Sequence, residues 1–422
     1  MSQKKCRFKQ GGITIQGFFD KSEVRSVKQS QGPVSCVSCG LYKDCMNAKI
    51  PPHGNFKKQI MVIGGSPNKK DDETGIPWQG GQGLLLRRMY ARLGIDLFED
   101  CVSLYAVGCW SDQAPSDYSV ECCRGKVLSA IKTYRPKIII LHGDDAVSSL
   151  ITGYRWQKGQ SGIATWRGWV IPDREFQAWV CPTLCPSFLI ERAGTEASVI
   201  CEQDLEQAFS RLHTALPLMK EEQECVTISQ DIEGVLNHYK RQTRGLLALD
   251  LETTGLKPYN KEDHEIVTIS FCNEWDRAHA IPFPTEPKHL RMLREILENP
   301  KTGKIAANLK FEDIWLHTLH GIQVAPWVFD TMQAAHIWDN RPGITGLKFQ
   351  SYIRFGTANY DQEISAYLKS PGANQPNDIK RMVRSPALFN QLLLYNGIDS
   401  LLTFRLAQFQ VEGMKLKIAG FV

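Results

Sequence analysis

The chain has 422 residues, 42% of them hydrophobic and 23% charged, with 13 cysteines and a formal net charge of +5. This is the composition of ordinary soluble globular protein, long enough for two or three domains. The charge is too mild to establish a nucleic-acid partner. No run of about 18 apolar residues is present, so no membrane span is expected. The start, MSQKKCRFKQGG, lacks the apolar core of a secretory signal. Thirteen cysteines without such a signal favour a reducing compartment, with some thiols on metal, over a disulfide scaffold. The expected location is the cytoplasm, or the host cytoplasm if the protein is viral.

In chain order, 1–33 reads as an N-terminal extension and 34–215 as a first α/β block. QIMVIGG is a strand, GLLLRRMYARLGI a helix, CVSLYAVGC a strand and ECCRGKVLSAIKTYRP a helix. KIIILHG, GWVIPD and AWVCPTL follow as strands. The alternation predicts a largely parallel sheet covered on both faces. A polar linker is expected at 216–224. The second block, 225–422, opens with CVTIS, and GLLALDLE, EIVTISFC and AHAIPF continue it as strands of one mixed sheet. A mostly helical region follows. No internal repeat or low-complexity tract interrupts either block.

The stretch LLALDLETTGLKP places Asp250 and Glu252 two residues apart at the end of an apolar strand. Residues i and i+2 share a strand face, so both carboxylates look the same way. An isolated D-x-E is equally an exposed polar strand end. A two-metal site needs several carboxylates converging on one small volume. KIAANLKFEDIW, 304–315, pairs a short strand with a helix carrying Glu312 and Asp313. LFNQLLLYNGIDSLLTFRL, 388–406, is a helix, with Ser385 and Pro386 as its N-cap and first residue. Tyr395 and Asp399 are four apart and lie on one face of it.

The order D-x-E, N-x-K-F-E/D, Y-x-x-x-D resembles the 3′–5′ exonuclease superfamily called DEDDy, as found in the proofreading domain of family-A DNA polymerases. The resemblance covers about 225–415 and implies a ribonuclease H-like mixed sheet. FDTMQAAHIWDNRPGITGLKFQSYIRFG, 329–356, is similar to the corresponding stretch of bacteriophage members. It implies two divalent ions, Mg²⁺ or Mn²⁺, on Asp250, Glu252 and Asp399, with Tyr395 positioning the nucleophilic water. The family spacing N-x-K-F/Y-D puts Glu312 at the fourth carboxylate position. Asp313, the next residue, has the family's chemical type and is preferred here, with Glu312 its close rival. Asn308, Lys310 and Phe311 are expected to support the strand. The implied substrate is a single-stranded 3′ end of DNA, and the implied partner a DNA polymerase domain or subunit. Only 23 residues follow Asp399. The chain is therefore expected to be either the front part of a viral polymerase or a free-standing fusion working beside one.

In the first block, Cys36 and Cys39 form a C-x-x-C pair, which alone is a zinc-knuckle half, a redox pair or two buried thiols. IGGSPNKKDDETGIPWQGGQGLLL, 63–86, resembles the first motif of family-4 uracil-DNA glycosylases, which reads G-E-A-P-G, then G-x-P-F-x-G-x-x-G-x-L-L. YRPKIIILHGDDAVSSLI and CPSFLIER match two later segments of that family. The resemblance implies a glycosylase-like fold and a 4Fe–4S cluster on Cys36, Cys39, Cys109 and one of a doublet. Counting back from Pro136 favours Cys123 over Cys122. The family's chemical positions are altered. Its motif acid is Gly65, the following glycine is Asn68, its asparagine is Tyr105 and its H-P-S histidine is Cys185. The base-stacking aromatic is retained as Trp78. Asp71, Asp72 and Glu73 read as a solvated loop. The expected domain is thus a degenerate glycosylase that holds DNA or serves structure. The alternative is an active glycosylase, on uracil or a modified base, coupled to the nuclease.

Overall fold

The computed structural model describes residues 35–156, 162–242, 244–259, 264–357, 360–372 and 375–418. The extension expected at 1–33 lies outside them. Among the described residues no helix is long and apolar enough to cross a membrane.

Among the described residues, eleven strands form two sheets. The first contains β1 (Ile60–Gly64), β2 (Cys101–Tyr105), β3 (Ile138–His142), β4 (Ile171–Asp173) and β5 (Ala178–Thr183), in the order β2-β1-β3-β5-β4. Every pairing is parallel except β4 with β5. All five residues of β1, β2 and β3 are buried. Strands covered on both faces read as unbroken apolar runs, which is why they were visible in the sequence. The strand order reverses beside β1, and ligand crevices of open α/β sheets form at the carboxyl ends of strands at such a point.

The second sheet contains β6 (Val226–Ile228), β7 (Gly245–Thr253), β8 (Ile266–Glu274), β9 (Arg277–Pro282), β10 (Thr302–Ala306) and β11 (Trp327–Asp330), in the order β11-β10-β7-β8-β9-β6. It is mixed, with β7 and β9 antiparallel to β8 and the remaining pairs parallel. The helix Pro386–Gly413 lies across it. Pro386 takes the first helical position, as expected, although Ser385 makes no side-chain cap bond. Gly397 permits the crossing, because a Cβ there would run into Val226 of β6. Ser270 of β8 donates its hydroxyl to the Asn396 carbonyl at 2.7 Å and fastens the helix in place.

The two sheets are bridged by the helix Leu347–Phe355. Its Phe349, Tyr352 and Ile353 belong to the same buried cluster as Trp156, Trp166, Trp169 and Ile171 of the first block. Trp166 and Phe349 ring centroids are 5.1 Å apart, and those of Trp156 and Tyr352 5.5 Å. Arg341 donates to the carbonyls of Ala164, Thr165 and Arg167 at 3.2, 3.3 and 2.9 Å. Glu222, in the stretch expected to be a polar connection, is only 4% exposed. It accepts from Arg174, Thr357 and the fully buried Arg405.

Candidate nuclease centre and iron–sulfur pocket

Asp250 and Glu252 share one face of β7, and Asp399 comes to them from the helix Pro386–Gly413. One carboxylate oxygen from each lies within 4.8 Å of the others. Asp399 is buried, while Asp250 and Glu252 are partly open to a cavity of about 230 Å³. Asn396, one turn before Asp399, donates to Asp250 at 2.8 Å and sets its orientation. Burial first, then the charge of Asp399 on Asp250 and of Asp250 on Glu252, holds both carboxyls well above the usual range.

The fourth carboxylate in the cavity is Glu312, not Asp313. Glu312 lines it together with Asn308, and its Oε2 is buried with no hydrogen-bond partner among the described residues. Burial and then the charge of Asp250 raise its carboxyl strongly. Asp313 instead accepts from the Trp327 indole N–H at 3.0 Å. Adjacent helical residues point about 100° apart, so the helix Lys310–His320 cannot offer both. Its phase is set by the preceding turn. Asn308 adopts φ 72°, a left-handed conformation that asparagine tolerates. The Asp330 carboxylate at the end of β11 accepts from the N–H groups of Asn308 and Leu309, both at 3.0 Å. Asn308 and Phe311 also line the cavity.

Tyr360 and Lys348 were not singled out in the sequence. Tyr360 donates its hydroxyl to Asp399. Lys348 donates to the Tyr395 hydroxyl at 2.7 Å and to Asp361 at 2.8 Å. Burial pulls the Lys348 ammonium down, but Asp399 and Asp361 outweigh it and leave it above its ordinary value. Tyr395 is 7% exposed. Burial and then Asp399 push its hydroxyl well up, so it stays protonated. The faint sequence signal for Lys348 was its place in the GLKFQSY segment, already set beside the exonuclease pattern.

A buried acidic cluster with an unpartnered carboxylate oxygen has the donor chemistry of a hard divalent cation site. Asp250, Glu252, Asp399 and Glu312 fit that requirement.

The first block presents a second cluster. Cys36 and Cys39 occupy a short helical turn, Cys36–Cys39, capped by Ser35. Cys36, Cys109, Cys122 and Cys123 line a cavity of about 220 Å³ with Lys49 and Lys126. The Lys49 N–H points at the Cys109 sulfur at 3.3 Å. Cys123 has Cys39, Cys109 and Cys36 as electrostatic neighbours, whereas Cys122 turns to Tyr118, Cys39 and the Ser35 backbone. Burial pushes both thiols of the doublet up. A cavity walled by sulfurs, with a backbone N–H aimed at one, suits a thiolate-bound cluster.

The presumed base pocket differs from expectation. Trp78 is 2% exposed, its ring 5.1 Å from Tyr105 and 6.1 Å from His142. It sits at φ 61°, a conformation uncommon for a bulky residue, held by its N–H to the Tyr105 hydroxyl at 3.0 Å. Trp78 therefore offers no open stacking wall, because Tyr105 fills the space in front of it. Asp71 and Asp72 are not solvated but 0% and 3% exposed. Asp71 accepts from Tyr105 and from the N–H groups of Asn68 and Gln79 at 2.7, 2.9 and 2.6 Å. Asp72 accepts from the N–H groups of Met46 and Asn47, both at 2.9 Å. Their acceptor capacity is used in holding loops. His142 is also buried, bonded to Tyr90 and the Leu184 carbonyl, and burial pulls it down to about 4. One acid does approach the altered motif. A Cβ placed on Gly65 would lie 2.9 Å from a carboxylate oxygen of Asp145.

Comparison with known proteins agrees with this division. Residues 223–409 match the family model described as 3′–5′ exonuclease, and residues 51–206 match the uracil DNA glycosylase superfamily. The chain joins a glycosylase-like segment to an exonuclease segment. A type-4 uracil-DNA glycosylase of Thermotoga maritima is 27% identical over 179 residues, covering 42% of this chain and 88% of that protein. The Saccharolobus solfataricus type-4 enzyme is 34% identical over 118 residues, which is 27% of this chain and 54% of that protein. The chain thus spans about half the length of the latter. Among solved structures, Brucella melitensis NrnC aligns at 19% identity with a TM-score of 0.32, over 45% of this chain and 81% of that one.

Proposed function

We propose that the second domain is a divalent-metal-dependent 3′–5′ DNA exonuclease acting on single-stranded 3′ ends. The observation that carries this reading is the convergence of Asp250, Glu252 and Asp399 around one point, with the orphaned Glu312 oxygen beside them. Asp250, Glu252 and Asp399, with Glu312, would hold two Mg²⁺ or Mn²⁺ ions. Bound there, such ions stabilise the attacking and leaving oxygens of an in-line phosphodiester displacement. Asn396 orients Asp250, and Tyr360 orients Asp399. Tyr395 holds the water through its protonated hydroxyl, itself fixed by Lys348. We place this activity beside a family-A DNA polymerase, as one of its domains or as a separate subunit, in a proofreading role.

For the first domain we propose a 4Fe–4S cluster on Cys36, Cys39, Cys109 and Cys123, and a glycosylase pocket that no longer excises bases. Gly65 has no side chain to orient a water, Cys185 is a weak donor where histidine is a strong one, and Tyr105 occupies the space in front of Trp78. Losing one electrostatic donor costs on the order of 10²–10³ in rate. A second reading, an active glycosylase, is favoured by the Asp145 carboxylate standing next to Gly65. End-labelled single- and double-stranded DNA, with and without uracil and with and without Mg²⁺, tests both. Metal-dependent shortening from the 3′ end is expected, and none in the Glu252→Ala variant. Free uracil released by Glu252→Ala would overturn the degenerate reading and move the chemistry to Asp145.

A further inference from the structure

One cavity among the described residues belongs to neither centre. It lies where the domains meet and has a volume of about 700 Å³, within the range of small-molecule sites. Its walls carry four arginines and two aspartates. Both aspartates are already taken. Arg167 holds Asp204 at 2.6 and 3.1 Å, with Thr183 adding a bond at 2.9 Å. Arg341 holds Asp339 at 2.6 Å. Arg211 and Arg354 are left, neither within 4.0 Å of a carboxylate among the described residues. The Nε of each is buried without a hydrogen-bond partner. Burial pulls the Arg354 guanidinium down to about 10, against the weaker support of Asp339. A desolvated cation with an unspent donor is costly unless an anion meets it.

Aromatic rings flank the two arginines. Arg211 lies over Trp179 at 5.1 Å, and Arg354 over Trp338 and Phe409, both at 4.9 Å. Trp338 and Phe409 are stacked, with 22° between planes, and Trp338 is 39% exposed. Guanidinium forks match phosphate oxygens, and exposed indole faces accept a base of any identity. Phe409 stands ten residues beyond Asp399 on the same helix, about 15 Å along its axis at about 1.5 Å per residue.

We propose that this interdomain cavity is a nucleotide site, in which Arg211 and Arg354 take a phosphate and the exposed part of the Trp338 ring packs against the base. The same chemistry is offered by a free nucleoside monophosphate and by one nucleotide of a single strand. The site is separate from the nuclease carboxylates and from the Trp78 pocket, and does not depend on the activity of either.

The test uses the full chain in EDTA, where metal-dependent cleavage is silent, and reads tryptophan fluorescence on titration with dTMP and, separately, with oligo(dT). The variants are Arg211→Gln and Arg354→Gln. Saturable binding of dTMP that weakens roughly tenfold or more in the variants supports a free-nucleotide site. Binding of oligo(dT) alone, lost to the same extent, supports a strand site. Arg354 lies in the bridging helix, so if its variant fails to fold, Arg211→Gln decides alone. The proposal is overturned if neither ligand binds, or if binding is unchanged in Arg211→Gln, which would place it at another site.

Discussion

Replacing Asp250 by asparagine changes one charge and almost no volume in the acidic cluster. Two unit charges 4.8 Å apart repel by about 3.5 kcal/mol at an effective dielectric of about 20. Asp250 takes part in two such pairs, with Glu252 and with Asp399. The metal-free cluster escapes part of this repulsion by holding protons, which is what the raised carboxyls express. The relief from removing one charge is therefore smaller than a single pair, roughly 1–3 kcal/mol. The substituted side chain can still present its amide oxygen to Asn396, so the helix contact survives. In EDTA, Asp250→Asn should melt above the unaltered protein. With millimolar Mn²⁺ the order should reverse, because ion binding stabilises only the form that binds it. Exonuclease activity should be abolished in the same variant. Thermal denaturation of both proteins in both buffers is the assay. If Mn²⁺ raises the melting temperature of Asp250→Asn as much as that of the parent, or if the variant gains nothing in EDTA, the carboxylates do not form one ion-binding cluster.

Glu312→Gln should lower metal-dependent hydrolysis by on the order of 10² or more, whereas Asp313→Asn should leave the rate intact and cost about 1 kcal/mol through the Trp327 bond; equal activity losses would reinstate Asp313. Anaerobically purified protein should be brown, and iron content should fall in Cys123→Ser but hold in Cys122→Ser; zinc without iron would remove the cluster, and the reverse pattern would exchange the two residues. Trp78→Ala should destabilise the first domain by about 3–5 kcal/mol, as for other buried aromatics, with little change in single-strand affinity measured by anisotropy; a large affinity loss in a stably folded variant would mean that the ring reaches DNA after all.

What could be read from the chain and what could not divide along a physical line. Most strands stood out because covered strands carry uninterrupted apolar residues, as in Ile138–His142, whereas β11 (Trp327–Asp330) lies in a stretch that reads as mostly helical. Pro386 announced the long helix by its fixed geometry. Asp250, Glu252, Tyr395 and Asp399 were legible because each pair obeys the period of its own element. The choice between Glu312 and Asp313 was not, since the helix phase there depends on Asn308 and on Asp330, a residue 22 positions further on. Three consecutive acids, Asp71 to Glu73, looked solvated because nothing local shows that Asp71 and Asp72 turn inward to cap loops. The loss of the Trp78 stacking face depends on Tyr105, 27 positions away. Tyr360 and Lys348 escaped notice for the same reason, since each matters only through a side chain brought in from another element.

The bridging helix Leu347–Phe355 also bears on how such a chain can be assembled or taken apart. On one side it supplies Lys348 to the nuclease tyrosine, and on the other it seats Phe349 and Tyr352 among the tryptophans of the first sheet. A cut between the sheets would separate every strand cleanly and still leave Trp156, Trp166 and Trp169 facing water. At about 25 cal/mol per Å², every ~100 Å² of ring surface so uncovered forfeits roughly 2.5 kcal/mol. Two domains joined in this way are no longer interchangeable cassettes. Each has become part of the other's interior, and a residue exchanged in one is answerable to the folding of both.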